Sequence, residues 1–129
     1  MIPVRHVLTG ALMMLSTSAF AQPVAVQLDA EEVTQLLSGN TAVGLWEGTP
    51  YRQYFGTDGV TLFAQPDART TRGEWRVDPE NDEYQSLWPG DTEWEGLLVM
   101  IWMDEYYWLS RTTPPTPFEV LEGEQLVAE

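Results

Sequence analysis

The sequence has no cysteine and no lysine, and its one histidine, His6, sits in the first few residues. Downstream of that point a zinc site of the usual nitrogen and sulfur donors has nothing to be built from. A serine or cysteine nucleophile that depends on an imidazole base is excluded for the same reason. With no lysine there is no Schiff base and no Gly-Lys-Ser/Thr phosphate loop, and Gly-x-Gly-x-x-Gly does not occur. Carboxylates, arginines, tyrosines and hydroxyls remain. The expectation is a protein that is not an enzyme and that carries no cofactor and no metal.

Cations are scarce as well: six, all arginine, against twenty acids, for a formal charge of −14. That balance repels nucleic-acid phosphates and anionic membrane surfaces alike. Its plainest role is a solubility coat, and its sharper one is to steer a basic partner. Long apolar runs are also missing. The longest near the N-terminus, Val7 to Leu15, falls well short of the ~20 residues a spanning helix needs. It follows Arg5 and precedes Ala19-Phe20-Ala21, small residues at the two positions a signal peptidase reads. Residues 1–21 therefore read as a secretory signal peptide with cleavage before Gln22. The expected product is a periplasmic or secreted protein with no membrane attachment. Residues 22–129 form a single domain of 108 residues, a monomer, with a charge of −15 once Arg5 is removed.

An exported domain is free to use disulfides, and this one has none, so packing alone must hold it. The material is aromatic: six tryptophans and five tyrosines, all after Gln22. Each buried aromatic removes ~150–250 Å² from water.

Asp29-Ala30-Glu31-Glu32 starts a helix, with Asp29 as cap and Glu32 three residues on as in a capping box. Val33, Leu36 and Leu37 form one apolar stripe, and Gly39 with Asn40 ends it, giving a helix over about 30–38. It is a candidate plug or lid on a sheet.

After Asn40 the period changes to two, and turn residues recur every eight to twelve positions. Strands are predicted at about Ala42–Trp46, Tyr51–Gly56, Val60–Gln65, Arg72–Val77, Glu83–Trp88, Trp94–Trp102 and Tyr106–Arg111, with a short one at Phe118–Leu121. Asp58-Gly59 is the strongest hairpin signal. Thr113-Pro114-Pro115-Thr116-Pro117 reads as a rigid surface strap that cannot pair. The fold class is mainly β: a small antiparallel meander or barrel of seven or eight strands with one short N-terminal helix. An open sheet crossed by the helix is the competitor.

Asp78, Glu80, Asp82 and Glu83 resemble the opening of a calcium loop. Glu83 stands where the loop needs glycine and Pro89 where it needs glutamate, so the segment reads as a solvated acidic turn. Arg72, Glu74 and Arg76 share one strand face, with Gly73, Trp75 and Val77 on the other. In so acidic a chain the arginines pair first with surface acids.

Gly44-Leu45-Trp46, Tyr51-x-x-Tyr54-Phe55-x-x-Asp58-Gly59 and Gly73-x-Trp75-x-Val77 resemble small exported β-rich proteins of Gram-negative bacteria that are lipocalin-like in outline. Gly-x-Trp near the first strand is similar to the calycin group, whose tryptophan closes the barrel bottom. Some of these proteins carry cysteines around Tyr-x-Ser-x-Trp and the next strand. Here Tyr84-Gln85-Ser86-Leu87-Trp88 and Trp94-Glu95-Gly96 have none. The resemblance implies a barrel and brings no catalytic residue.

The leading expectation is a binding module for a small, partly apolar ligand. Trp46, Tyr54, Trp75 and Trp88 would be its aromatic walls, with Arg52 or Arg76 as polar anchor. The alternatives are an acidic interaction or inhibitor protein that captures a basic partner, and a structural envelope protein without a ligand.

Overall fold

The computed structural model describes residues 22–127, so the leader expected over residues 1–21 lies outside the described residues. Nine strands and one helix follow in the order β1 (Val26–Gln27), α1 (Ala30–Leu37), β2 (Thr41–Trp46), β3 (Thr49–Phe55), β4 (Val60–Ala64), β5 (Thr71–Asp78), β6 (Glu83–Leu87), β7 (Glu95–Trp102), β8 (Glu105–Leu109) and β9 (Thr116–Leu121). Every pairing is antiparallel. The sheet runs β7-β6-β5-β4-β3-β2-β9-β8 and closes through β7–β8. It is therefore an eight-stranded barrel, and the open-sheet alternative falls.

The ninth strand was not expected. β6 pairs with only the first part of β7, Glu95 to Leu97. β1 takes over farther along, opposite Met100 and Ile101, and the Leu28 N–H donates to the Val99 carbonyl between them at 2.9 Å. The N-terminal segment thus covers backbone that β6 leaves unpaired. Val26 and Gln27 are too short a stretch to show a period and gave no warning of it.

Tight turns set the meander. Glu47 and Gly48 (φ 49° and 82°) close the β2–β3 hairpin, the geometry of a two-residue primed turn. Gly59 (φ 85°) sits in the β3–β4 turn predicted from Asp58-Gly59. The proline-rich strap differs from expectation. Thr116 and Pro117 belong to β9, opposite Trp108 and Tyr107. The β2 ladder ends at Gly44 opposite Phe118, one residue short of Pro117, and a proline is tolerated next to such an end.

One end of the barrel is shut. The α1 capping box forms as read: Asp29 Oδ1 accepts from the Glu32 N–H at 2.8 Å, and the Asp29 N–H donates to Glu32 Oε1 at 3.1 Å. The Ala30 N–H donates to Asp82 Oδ1 at 2.8 Å, tying the helix start to the β5–β6 turn. Gly39 (φ 79°) then turns the chain, and its N–H donates to the Phe55 carbonyl at 2.7 Å. So held, α1 drives Val33 and Leu37, both fully buried, into the core with Phe55, Trp75 and Val99. Phe55 meets Trp75 and Tyr84 edge-on at 5.4 and 5.6 Å between ring centres.

Candidate functional site

Strand register decides which side chains the barrel encloses. Paired residues share a face, and the fully buried Phe55 fixes which face is inside. From it the pairings carry inward Tyr51 and Gln53 on β3, Thr61 and Phe63 on β4, Gly73 and Trp75 on β5, Tyr84 and Ser86 on β6, Leu97 and Val99 on β7, Trp108 on β8 and Phe118 on β9. At the helix end these side chains fill the space. Toward the other end they do not.

There the barrel opens into a pocket lined by Trp46, Tyr51, Gln53, Phe63, Trp88 and Trp108, and bordered by the exposed Arg111 and by the exposed Glu95, which the register sets opposite Ser86 on the inward face. The hollow also runs out over Glu83, Gly96 and Leu98, so its full volume of about 1340 Å³ exceeds the interior alone. The walls are an aromatic chain. Tyr51 stacks on Phe63 at 5.4 Å, Phe63 meets Trp88 edge-on at 5.9 Å, and Trp108 stacks on Phe118 at 4.1 Å. Gly73 makes room for Trp88: a Cβ there would lie 2.6 Å from the Trp88 ring and 2.8 Å from the Leu87 carbonyl.

The floor is polar and neutral. Gln53 Nε2 donates to Thr61 Oγ1 at 2.9 Å and to the Tyr84 hydroxyl at 2.8 Å. Thr61 Oγ1 donates its own proton to the Tyr54 carbonyl at 2.9 Å. The Trp108 indole N–H donates to the Tyr51 hydroxyl at 3.0 Å. Burial pushes the Tyr84 hydroxyl up to about 12, against hydrogen bonds with Ser86 and Gln53 that pull it down. Burial raises Tyr51 as well, and the Trp108 bond offsets part of that. Both are therefore protonated hydroxyls at any physiological pH.

The structure brings together only some of the residues chosen from sequence. Trp46, 39% exposed at the tip of the β2–β3 hairpin, and the half-buried Trp88 both line the pocket. Trp75 is core at the plugged end, its indole N–H donating to the Gly56 carbonyl at 2.8 Å. Arg52, Tyr54 and Arg76 lie on the outer face, because each sits one residue from an inward side chain. Arg52 instead clamps the C-terminal segment, donating to the Gln125 carbonyl at 2.8 Å. Arg76 donates to Gln85 Oε1 at 2.7 Å and stacks 4.0 Å over the Trp94 ring. Neither arginine can anchor a ligand inside the barrel. The cation that does border the pocket is Arg111, in the segment after β8.

No family model, no curated protein and no solved structure matches this chain. Function must be argued from the site itself. Among the described residues, no group of three or more histidines, cysteines or carboxylates could hold a metal ion. At the acidic turn Asp78 accepts from the Glu80 N–H at 2.9 Å and from Asn81 Nδ2 at 2.7 Å. These bonds hold its carboxyl below the usual range, with the Asn81 side chain the largest cause. That carboxylate braces its own turn. Among the described residues no helix is long and apolar enough to cross a membrane.

Proposed function

We propose that this protein is an exported binding module, periplasmic or secreted, which holds a small, partly apolar molecule in the open half of its barrel and performs no chemistry on it. One asymmetry carries the reading. α1 plugs one end with fully buried Val33 and Leu37, while the other end remains a concave, aromatic-walled pocket with a hydrogen-bonding floor. A barrel needed only for its fold gains by filling such a space, since packing at crystal-like density stabilises the native state. Concave apolar walls with a few convergent polar groups are the usual form of a small-molecule site. The lipocalin-like resemblance agrees with this use. A second reading, capture of a basic partner protein, draws on an outer groove where Asp104, Glu105 and Glu119 border Leu45, Pro114 and Pro117.

The test is native mass spectrometry of the protein purified from the envelope of its own host. The expected spectrum contains the polypeptide plus one small molecule, which Trp88→Ala protein loses. A bare polypeptide mass from the wild-type protein under gentle conditions would overturn the proposal.

A further inference from the structure

The pocket floor holds an acceptor with nothing to accept from. Gln53 is 6% exposed and lines the pocket. Its amide is oriented with the nitrogen toward Thr61 and Tyr84. Thr61 Oγ1 has spent its single proton on the Tyr54 carbonyl, so it can only accept, and Gln53 must offer it nitrogen. The second Nε2 proton goes to the Tyr84 hydroxyl. Both donors are spent, and Oε1 receives no hydrogen bond from any described residue. No buried side-chain oxygen or nitrogen is left unpartnered among those residues, so Oε1 is not sealed in the wall but reaches the pocket. Two residues back on the same inward face, the Tyr51 hydroxyl accepts from Trp108, and its own proton has no acceptor among the described residues.

Charge narrows the ligand further. The inward residues around Gln53, namely Tyr51, Phe63, Ser86 and Trp108, are neutral, while Glu95, opposite Ser86 on the same inward face, is exposed to solvent, and Arg111 borders the pocket from the segment after β8. A buried ionic group would meet no counter-charge there and would lose its hydration.

We propose that the buried part of the ligand is an uncharged, flat ring system bearing an N–H or O–H donor, which Gln53 Oε1 recognises while Tyr51 donates to the ligand's own acceptor. The inference rests on the binding-module reading above. Any charged substituent of the ligand stays at the mouth, within reach of Arg111. Gln53, rather than either outward arginine, is the residue that determines specificity.

Three probes of one ring size test this by calorimetry at pH 7 on the 22–129 chain: 2-naphthol, 2-methoxynaphthalene and naphthalene-2-carboxylate. 2-Naphthol carries a donor, the ether blocks it, and the acid carries a charge. 2-Naphthol should bind at least about tenfold more tightly than either, because an unmade bond at a buried acceptor is expensive. Gln53→Met, of similar shape but without an acceptor there, should bring 2-naphthol down to the affinity of the ether and leave the ether unchanged. Should that variant fail to fold, the ranking of the three probes on the wild-type protein still decides. Equal binding of 2-naphthol and its ether would overturn the donor requirement and leave the binding module standing. Tightest binding of the carboxylate would overturn the uncharged class. Binding of none would overturn both.

Discussion

Trp75 and Arg76 are neighbours in sequence on opposite faces of β5, and truncating each should give very different results. Trp75 is 8% exposed, so its loss removes ~150–250 Å² of mostly apolar burial, worth roughly 4–6 kcal/mol gross at ~25 cal/mol per Å². The Gly56 carbonyl it leaves still accepts from the Gly59 N–H at 3.1 Å, so no acceptor is orphaned. The cavity beside Phe55 cannot fully collapse against α1, which places Trp75→Ala at about 3–5 kcal/mol. Arg76 makes one exposed hydrogen bond and one exposed stacking contact on Trp94, together about 1 kcal/mol or less. In urea, with a slope near ~2 kcal/mol per M, Trp75→Ala should lower the midpoint by about 2 M and Arg76→Ala by about 0.5 M or less. Far-ultraviolet circular dichroism is the readout, since fluorescence would lose a reporter with Trp75. Equal losses, or a larger loss from Arg76→Ala, would mean that the β5 register is displaced by one residue and the barrel interior misassigned.

Three further outcomes follow from the same geometry. Leu37→Ala should cost about 2–5 kcal/mol by thermal unfolding, since a fully buried side chain of the plug is removed. Gly73→Ala should cost about 1–3 kcal/mol and increase the solvent exposure of Trp88 by fluorescence quenching, because a Cβ at 2.6 Å forces that ring out of the pocket wall. Stability should fall in alkali: Tyr84 binds its proton more tightly when folded, so its contribution is whole below pH 10 and is lost as pH climbs from 10 toward about 12. Tyrosinate absorbance should then show Tyr84 ionising only with unfolding.

Much of the barrel was legible because its signals are local. The capping box, the Asp58-Gly59 turn and the alternation of Gly73, Trp75 and Val77 against Arg72, Glu74 and Arg76 each depend on residues a few positions apart. β1 was not legible, because two residues carry no period and their pairing depends on where β6 stops, some sixty residues on. The site was read less well, for a reason the sequence itself contained. Trp75 with Arg76 cannot both face one cavity, and Arg52 and Tyr54 share the β3 face opposite Tyr51, Gln53 and Phe55. Tyr51-x-Gln53-x-Phe55 is the inward set on β3, and its alternation was available. That Trp108 reaches Tyr51, 57 positions away in the chain, required the closure through β7–β8.

The most direct test of a ligand held in the open half of the barrel is the indole N–H region of a ¹⁵N–¹H spectrum, in which each of the six tryptophans reports on one place. The comparison is between envelope-purified protein and the same protein stripped of small molecules by unfolding and refolding. The signals of Trp46, Trp88 and Trp108, which line the pocket, should shift, while those of Trp75 in the plugged end and of Trp94 and Trp102 outside should not. Shifts confined to Trp94 or Trp102, or identical spectra, would contradict it.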